Sequence, residues 1–247
     1  MKVFDAHLHI IDTKFPLIEN QGFMPNAFTC HDYLNSVKEL DVVGGAIVSG
    51  SFQGFDQSYL VDALKTLGKN FVGVTQLSFD TPDEEIIKLN EHGVRALRFN
   101  VNRGGSEDIS RLDYLSRRVY DLVNWHTELY INSNSLTEIA SIIANLPAVS
   151  IDHLGLSKSG FPDLLSLVDK GVKVKATGFG RIDFDAREAI KNIYSINPDA
   201  LMFGTDLPST RAPRPFQFSD VELVCNTLEA DKAEKVLYKN ALNWYMR

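Results

Sequence analysis

The sequence predicts a single (β/α)₈ TIM barrel, an α/β fold spanning residues 1–247 as one domain. Three observations carry that prediction. Eight short, β-branched, nearly continuous apolar runs recur along the chain, as parallel strands covered on both faces require. Segments of helical periodicity separate them, and 247 residues is the length that eight strand–helix units occupy. The first run is also followed by "HIIDTKFP", without the Gly-rich turn that a doubly wound open sheet places there.

The expected strands, in order, cover residues 2–10, 42–50, 71–77, 94–100, 128–132, 148–153, 172–178 and 200–206. Between them, 32–44 and 161–171 follow a helical template. Residues 82–93 open on Thr81-Pro82, carry acids in the first turn and stop at Gly93. Residues 135–147 place Ser135 and Glu138 at capping-box spacing and end before Pro147. The stretch 220–245 supplies one or two closing helices. No low-complexity linker or charge block interrupts the alternation.

A net charge of −7 and a pI near 5.4 argue against a nucleic-acid or anionic-membrane binder, while leaving room for a local arginine pocket and a small anionic substrate. The two cysteines, Cys30 and Cys225, form no CxxC pair and no disulfide framework. No run approaches the ~18–20 apolar residues of a membrane span. With no basic–apolar leader before the first strand, the cytoplasm is the expected compartment. Oligomeric state is open at this level.

In a barrel of this kind, chemistry gathers at the C-terminal ends of the strands. Strand 1 ends in His7-Leu8-His9, strand 6 in Asp152-His153 and strand 8 in Thr205-Asp206. Side chains two apart share a strand face, with roots roughly 6.5–7 Å apart, so His7 and His9 can converge above the barrel mouth. His153 and Asp206 would join them from other strands. One such histidine alone is readily a satisfied structural group. Four ionisable groups at the same end of the barrel point to a site.

The motifs "DAHLH", "IDHLGLSKSG", "VKATG" and "LMFGTDLP", in this order over nearly the whole chain, resemble the amidohydrolase superfamily, and within it the branch of 2-pyrone-4,6-dicarboxylate and sugar-acid lactonases. The resemblance implies a (β/α)₈ hydrolase. In it His7 and His9 are the strand-1 pair, His153 is the strand-6 histidine, and Asp206 is the acid that handles the proton of the attacking water. Two departures stand out. Strand 5 reads "ELYINSNS" without the usual histidine, and strand 4 reads "VRALRFN" without the bridging lysine, so a binuclear centre is not expected. Pro208-Ser209 also replaces the Pro-His that often follows the strand-8 acid in the lactonase pattern.

Chemistry and ligand count leave the metal open. A carboxylate can act as general base toward an electrophilic lactone, with histidine donors stabilising the oxyanion, so no cofactor is required. Equally, His7, His9 and Asp206 offer three ligands and an open position for one divalent cation, zinc by preference.

On the substrate side, reading Leu97 and Phe99 as helix-facing sends Arg98 inward, as a carboxylate clamp or as half of an ion pair with a barrel acid such as Asp5. Arg181 and Arg211 follow strands 7 and 8 most closely and are favoured over Arg103 and Arg214. Ser49, Ser51 and Gln76 are candidate hydrogen-bonding groups, and Lys175 is a candidate support for Asp206. "SGSFQGF" lacks the order of a serine nucleophile elbow.

Together these features predict hydrolysis of a small, carboxylate-bearing lactone. Asp206 would activate water, and His7, His9 and His153 would polarise the carbonyl directly or through one metal. The competing readings are a mononuclear metal-dependent decarboxylase of the same superfamily and a ligand-binding barrel without activity.

Overall fold

A computed structural model describes residues 1–246. Its eight parallel strands are β1 (Lys2–Leu8), β2 (Asp41–Val48), β3 (Phe71–Thr75), β4 (Val94–Asn100), β5 (His126–Tyr130), β6 (Val149–Ile151), β7 (Lys173–Ala176) and β8 (Leu201–Phe203). They pair in sequence order, the (β/α)₈ arrangement that the alternation predicts. The outer layer comprises α1 (Cys30–Ser36), α2 (Ser58–Leu67), α3 (Asp83–Glu91), α4 (Leu112–Val123), α5 (Leu136–Ile143), α6 (Phe161–Asp169), α7 (Ala186–Ile196) and α8 (Phe218–Thr227). Two further helices, α9 (Ala230–Glu234) and α10 (Asn240–Tyr245), flank a π-helical stretch at Lys235–Lys239. Among the described residues no helix is long and apolar enough to cross a membrane.

Local chemistry sets the helix starts. The segment expected at 32–44 begins earlier, at Cys30, because Thr29 and Asp32 cap each other reciprocally. The Ser135/Glu138 box does not form. Asn132 Oδ1 accepts from Asn134 N at 2.9 Å, opening a 3₁₀ turn (Ser133–Ser135) that takes up the chain before α5 begins.

Two apolar layers follow from strand alternation. Leu97, Phe99, Leu129, Ile151, Val174 and Phe203 pack outward against the helices, while Ala46, Val48, Val72, Val74, Ala96 and Met202 fill the barrel interior. From the N-terminal end, α10 plugs that interior with Ala241, Trp244 and Tyr245.

Strand β1 breaks the alternation. Phe4 and Ala6 face the interior, and strict period two would turn His7 outward. Between Asp5 and Leu8, however, the register with β2 slips, three steps on β1 matching two on β2. This bulge reverses the parity, so Leu8 joins the outer layer and both His7 and His9 turn in.

The barrel closes between β8 and β1 without a ladder among the described residues. The Asp5 carboxylate accepts from Thr205 N (2.8 Å) and Thr205 Oγ1 (2.7 Å). Beyond it, Asp206 N donates to the His7 carbonyl (2.7 Å) and His9 N to the Leu207 carbonyl (2.8 Å). Gly204 permits this approach, since a Cβ there would meet His7 N at 2.7 Å.

Candidate active site

The seam fixes the relation between the strand-1 histidines and Asp206. The Asp206 side chain is 1% exposed, and its backbone, held at φ +61°, turns the two carboxylate oxygens to different partners. Oδ2 accepts from Arg181 Nε at 2.7 Å. Oδ1 faces three imidazoles, lying 3.9 Å from His7 Nε2, 3.8 Å from His9 Nε2 and 4.0 Å from His153 Nε2. The four groups that the sequence singled out therefore meet around one oxygen.

Each histidine is held differently. His9 Nδ1 lies 2.7 Å from the Val48 carbonyl, which can only accept, so Nδ1 carries the proton and Nε2 offers a lone pair. His153 sits at φ +52° with its ring edge-on to Tyr130, and a Cβ on Gly178 would meet its Nδ1 at 2.6 Å. His7 is fully buried and lies behind Asp206, off the pocket wall. Burial lowers the pKa of all three. For His9 the neighbouring His7 and Arg98 deepen the shift, and for His153 His7 and Arg181 do so. For His7, Asp152 opposes it. The rings are neutral near pH 7.

Above them opens a small pocket at the barrel mouth. His9, His153 and Asp206 form part of its lining, together with Tyr130 and four guanidiniums, Arg98, Arg103, Arg181 and Arg211. Four guanidiniums and one carboxylate thus line this mouth, with Arg98 ion-paired to Asp152 and Arg181 to Asp206.

The structure sorts the remaining candidates. Arg98 does turn inward, but its partner is Asp152 rather than Asp5. Nη2 reaches Asp152 Oδ2 at 2.9 Å and Nη1 reaches the Ser49 carbonyl at 2.5 Å. Arg211 reaches the pocket while bonding Ser51 Oγ at 2.9 Å. Arg103 lines the pocket although the sequence reading set it aside, and Arg214 pairs with Asp220 instead. Ser49 is corrected from a substrate group to a structural one, because its hydroxyl is engaged by Gln57 (2.9 Å) and Tyr59 (2.7 Å). Gln76 is corrected likewise. Its amide ties together the carbonyls of Gly50, Gly54 and Gly105, and it does not line the pocket. Lys175 supports His7 rather than Asp206, with Nζ 3.4 Å from His7 Nδ1.

Sequence reasoning passed over Asp152 and Tyr130. Both share parity with interior residues of their strands, Asp152 with Ser150 and Tyr130 with Glu128, and that parity was the available signal.

The donors fit a single divalent cation. His7 Nε2 and Asp206 Oδ1 are buried with no hydrogen-bond partner, and ligand atoms of His7, His9 and Asp206 lie within 4.8 Å of one another. Ligands at ~2.0–2.2 Å on a tetrahedral ion stand roughly 3.3–3.6 Å apart, a small contraction from the spacing here.

A family model described as amidohydrolase matches residues 4–247. The chain belongs to the amidohydrolase family. This amidohydrolase is 25% identical over 225 residues to a 4-sulfomuconolactone hydrolase from Hydrogenophaga intermedia, covering 83% of the chain and 74% of that relative. It is 27% identical over 177 residues to a 2-pyrone-4,6-dicarboxylate hydrolase from Comamonas testosteroni, covering 67% of the chain and 54% of that protein. In fold it matches the crystal structure of a probable 2-pyrone-4,6-dicarboxylic acid hydrolase from Acinetobacter baumannii with citric acid bound. The TM-score is 0.83, with 20% identity and 100% of each chain covered.

Proposed function

We propose that this amidohydrolase opens a small, carboxylate-bearing lactone by adding water to its ester carbonyl. The observation that carries the reading is the Asp206 carboxylate, one oxygen clamped by Arg181 and the other facing three imidazoles beneath a four-arginine pocket. The lactone hydrolases among its relatives support the reaction class.

The geometry supports the following course. Asp206 Oδ1 takes a proton from water as the water oxygen bonds to the carbonyl carbon. His9 Nε2, a lone-pair acceptor, orients the other water proton. The carbonyl oxygen gains charge and is stabilised by His153 and the guanidinium wall. The ring C–O bond then breaks, and the departing oxygen recovers the proton held by Asp206. The pocket arginines bind the substrate's carboxylate, which places the ester over the site. His7 lies behind Asp206 and acts on the substrate only through it or through a cation. Where a cation is bound, His7, His9 and Asp206 would hold it, and it would supply acidification of water and polarisation of the carbonyl.

The decarboxylase alternative loses support at β5. The interior residue at its mouth end is Tyr130, and the imidazole of that strand, His126, lies at the opposite end beside Glu128 (3.0 Å). A panel of carboxylated and neutral lactones, assayed with and without chelator, tests reaction class and metal dependence together. Turnover of a carboxylated lactone is expected, and hydrolysis of none would overturn the proposal.

A further inference from the structure

Between β1 and α1 the chain makes a long excursion across the barrel mouth. It leaves and returns through a pair of backbone hydrogen bonds between Ile11 and Phe28, both 2.7 Å. Midway, Ile18 N donates to the Phe52 carbonyl at 2.8 Å and pins the strap to the loop after β2. At the tip, Asn20 and Phe23 pair across a two-residue turn, with Gln21 at φ +54° and Gly22 at φ +72°. Positive φ at both central residues is the twist that a tight hairpin favours, so the tip has a defined shape.

That tip holds the two pocket arginines that no acid holds. Arg98 and Arg181 are ion-paired with Asp152 and Asp206, whereas Arg103 and Arg211 line the pocket with no carboxylate partner among the described residues. Asn20 engages both of the latter. Its Nδ2 donates to the Arg103 carbonyl (3.2 Å), its own carbonyl accepts from Arg211 Nη1 (3.2 Å), and its Oδ1 accepts from Arg211 Nη2 (3.2 Å). Ser51 Oγ takes the second Nη2 proton (2.9 Å), and the guanidinium lies 4.6 Å from the centre of the Phe23 ring. Arg211 also sits at φ +57°, a conformation costly for a residue with a side chain. Burial and the neighbouring Arg103 charge press its pKa downward. A cation is thus held beside a like charge by neutral acceptors alone, with Nε–H and one Nη1–H left over. A carboxylate arriving in the pocket makes the stronger, charge-assisted bond, and it meets a side chain already frozen in place.

We infer that the strap is a positioning element, and that its tip residue Asn20 presets Arg211 for the anionic group of the substrate. Asn20 acts through Arg211 and does not enter the chemistry at Asp206. The inference rests on the proposed function for the identity of the anion as a lactone carboxylate, while anion binding itself is read without turnover.

The experiment measures the binding of citrate, a small tricarboxylate, to the full chain by calorimetry, for the parent, Asn20→Ala, Asn20→Asp and Gln21→Gly. Asn20→Ala frees Arg211 and should weaken citrate binding roughly 3–10-fold, the scale of ordering one long side chain on binding. Asn20→Asp keeps an acceptor beside Arg211 but supplies the negative charge itself, so binding should weaken by about tenfold or more. Gln21→Gly suits the positive φ and removes only the bond from Gln21 Nε2 to the Arg103 carbonyl (3.1 Å), so affinity should stay within about twofold. In turnover, Asn20→Ala should raise KM for a carboxylated lactone by the same factor with kcat within about twofold, and leave KM for a neutral lactone unchanged. A parent that takes up no citrate, Asn20 variants within about twofold of it, or equal weakening by Gln21→Gly or toward the neutral lactone would each overturn the proposal. If no lactone is hydrolysed while citrate binding responds as expected, the assigned substrate class falls and the role of Asn20 stands.

Discussion

Asp206→Asn separates the proton-accepting role of this side chain from its structural one. Arg181 Nε approaches Oδ2 at 2.7 Å and needs an acceptor there. The asparagine amide therefore orients its oxygen toward Arg181 and its NH₂ toward the three imidazoles. The shape of the site survives, and the group facing the water changes from acceptor to donor. Loss of a positioned general base slows the chemical step by about 10²–10⁴-fold, equivalent to roughly 3–5 kcal/mol of barrier. On the stability side, a buried charge-assisted hydrogen bond becomes a neutral one, a loss of about 1–2 kcal/mol. At roughly 2–4 °C per kcal/mol for a domain of this size, Tm should fall by about 2–8 °C. Steady-state kinetics on a lactone turned over by the parent, paired with thermal melts, gives both quantities. A variant that keeps kcat within about tenfold of the parent while folded would refute the assignment of Asp206 as base.

Three further outcomes follow from the same geometry. Gly178→Ala puts a methyl 2.6 Å from His153 Nδ1 at a backbone φ of +58°, so kcat/KM should drop at least about tenfold, with roughly 1–2 kcal/mol lost in urea titrations. Arg103→Met removes one guanidinium from the wall, and KM for a carboxylated lactone should rise about 10–100-fold with kcat little changed, whereas an uncharged lactone should show no such rise. The pKa values of His7, His9 and His153 are lowered in the fold, so the unfolded chain binds protons first as pH drops. Their stabilising effect is complete above the unfolded value near ~6.5 and is lost below it, by up to about 1.4 kcal/mol per pH unit for each ring, and His153→Asn should flatten the slope of urea midpoint against pH between ~6.5 and ~5.

The alternation of strand and helix, the inward turn of Ala96 and Arg98, and the gathering of His7, His9, His153 and Asp206 were all legible in the sequence, because each depends on local periodicity and on the strand-end rule. The β1 bulge was not. It is a register slip against β2, and nothing in "VFDAHLH" separates a slipped strand from a regular one. The partners of Ser49, Gln76 and Lys175 were hidden for a related reason. Parity says that a polar side chain points inward, but not whether a Gln57, a loop carbonyl or a Glu128 waits there. Arg103 and Arg211 show the limit of chain distance as a guide, since both reach the pocket from loops whose course the sequence does not specify.

The seam between β8 and β1 gives this barrel an uneven resistance to opening. Everywhere else adjacent strands are joined by a ladder, but here the join is an aspartate staple and two backbone hydrogen bonds. His7 and His9 stand on one bank and Asp206 on the other. A transient parting at this join would leave the rest of the barrel intact while drawing the base away from its imidazoles. Catalytic competence is thereby tied to a strand join that lacks a ladder among the described residues, and warming or mild denaturant should erode the chemistry before the barrel itself comes apart.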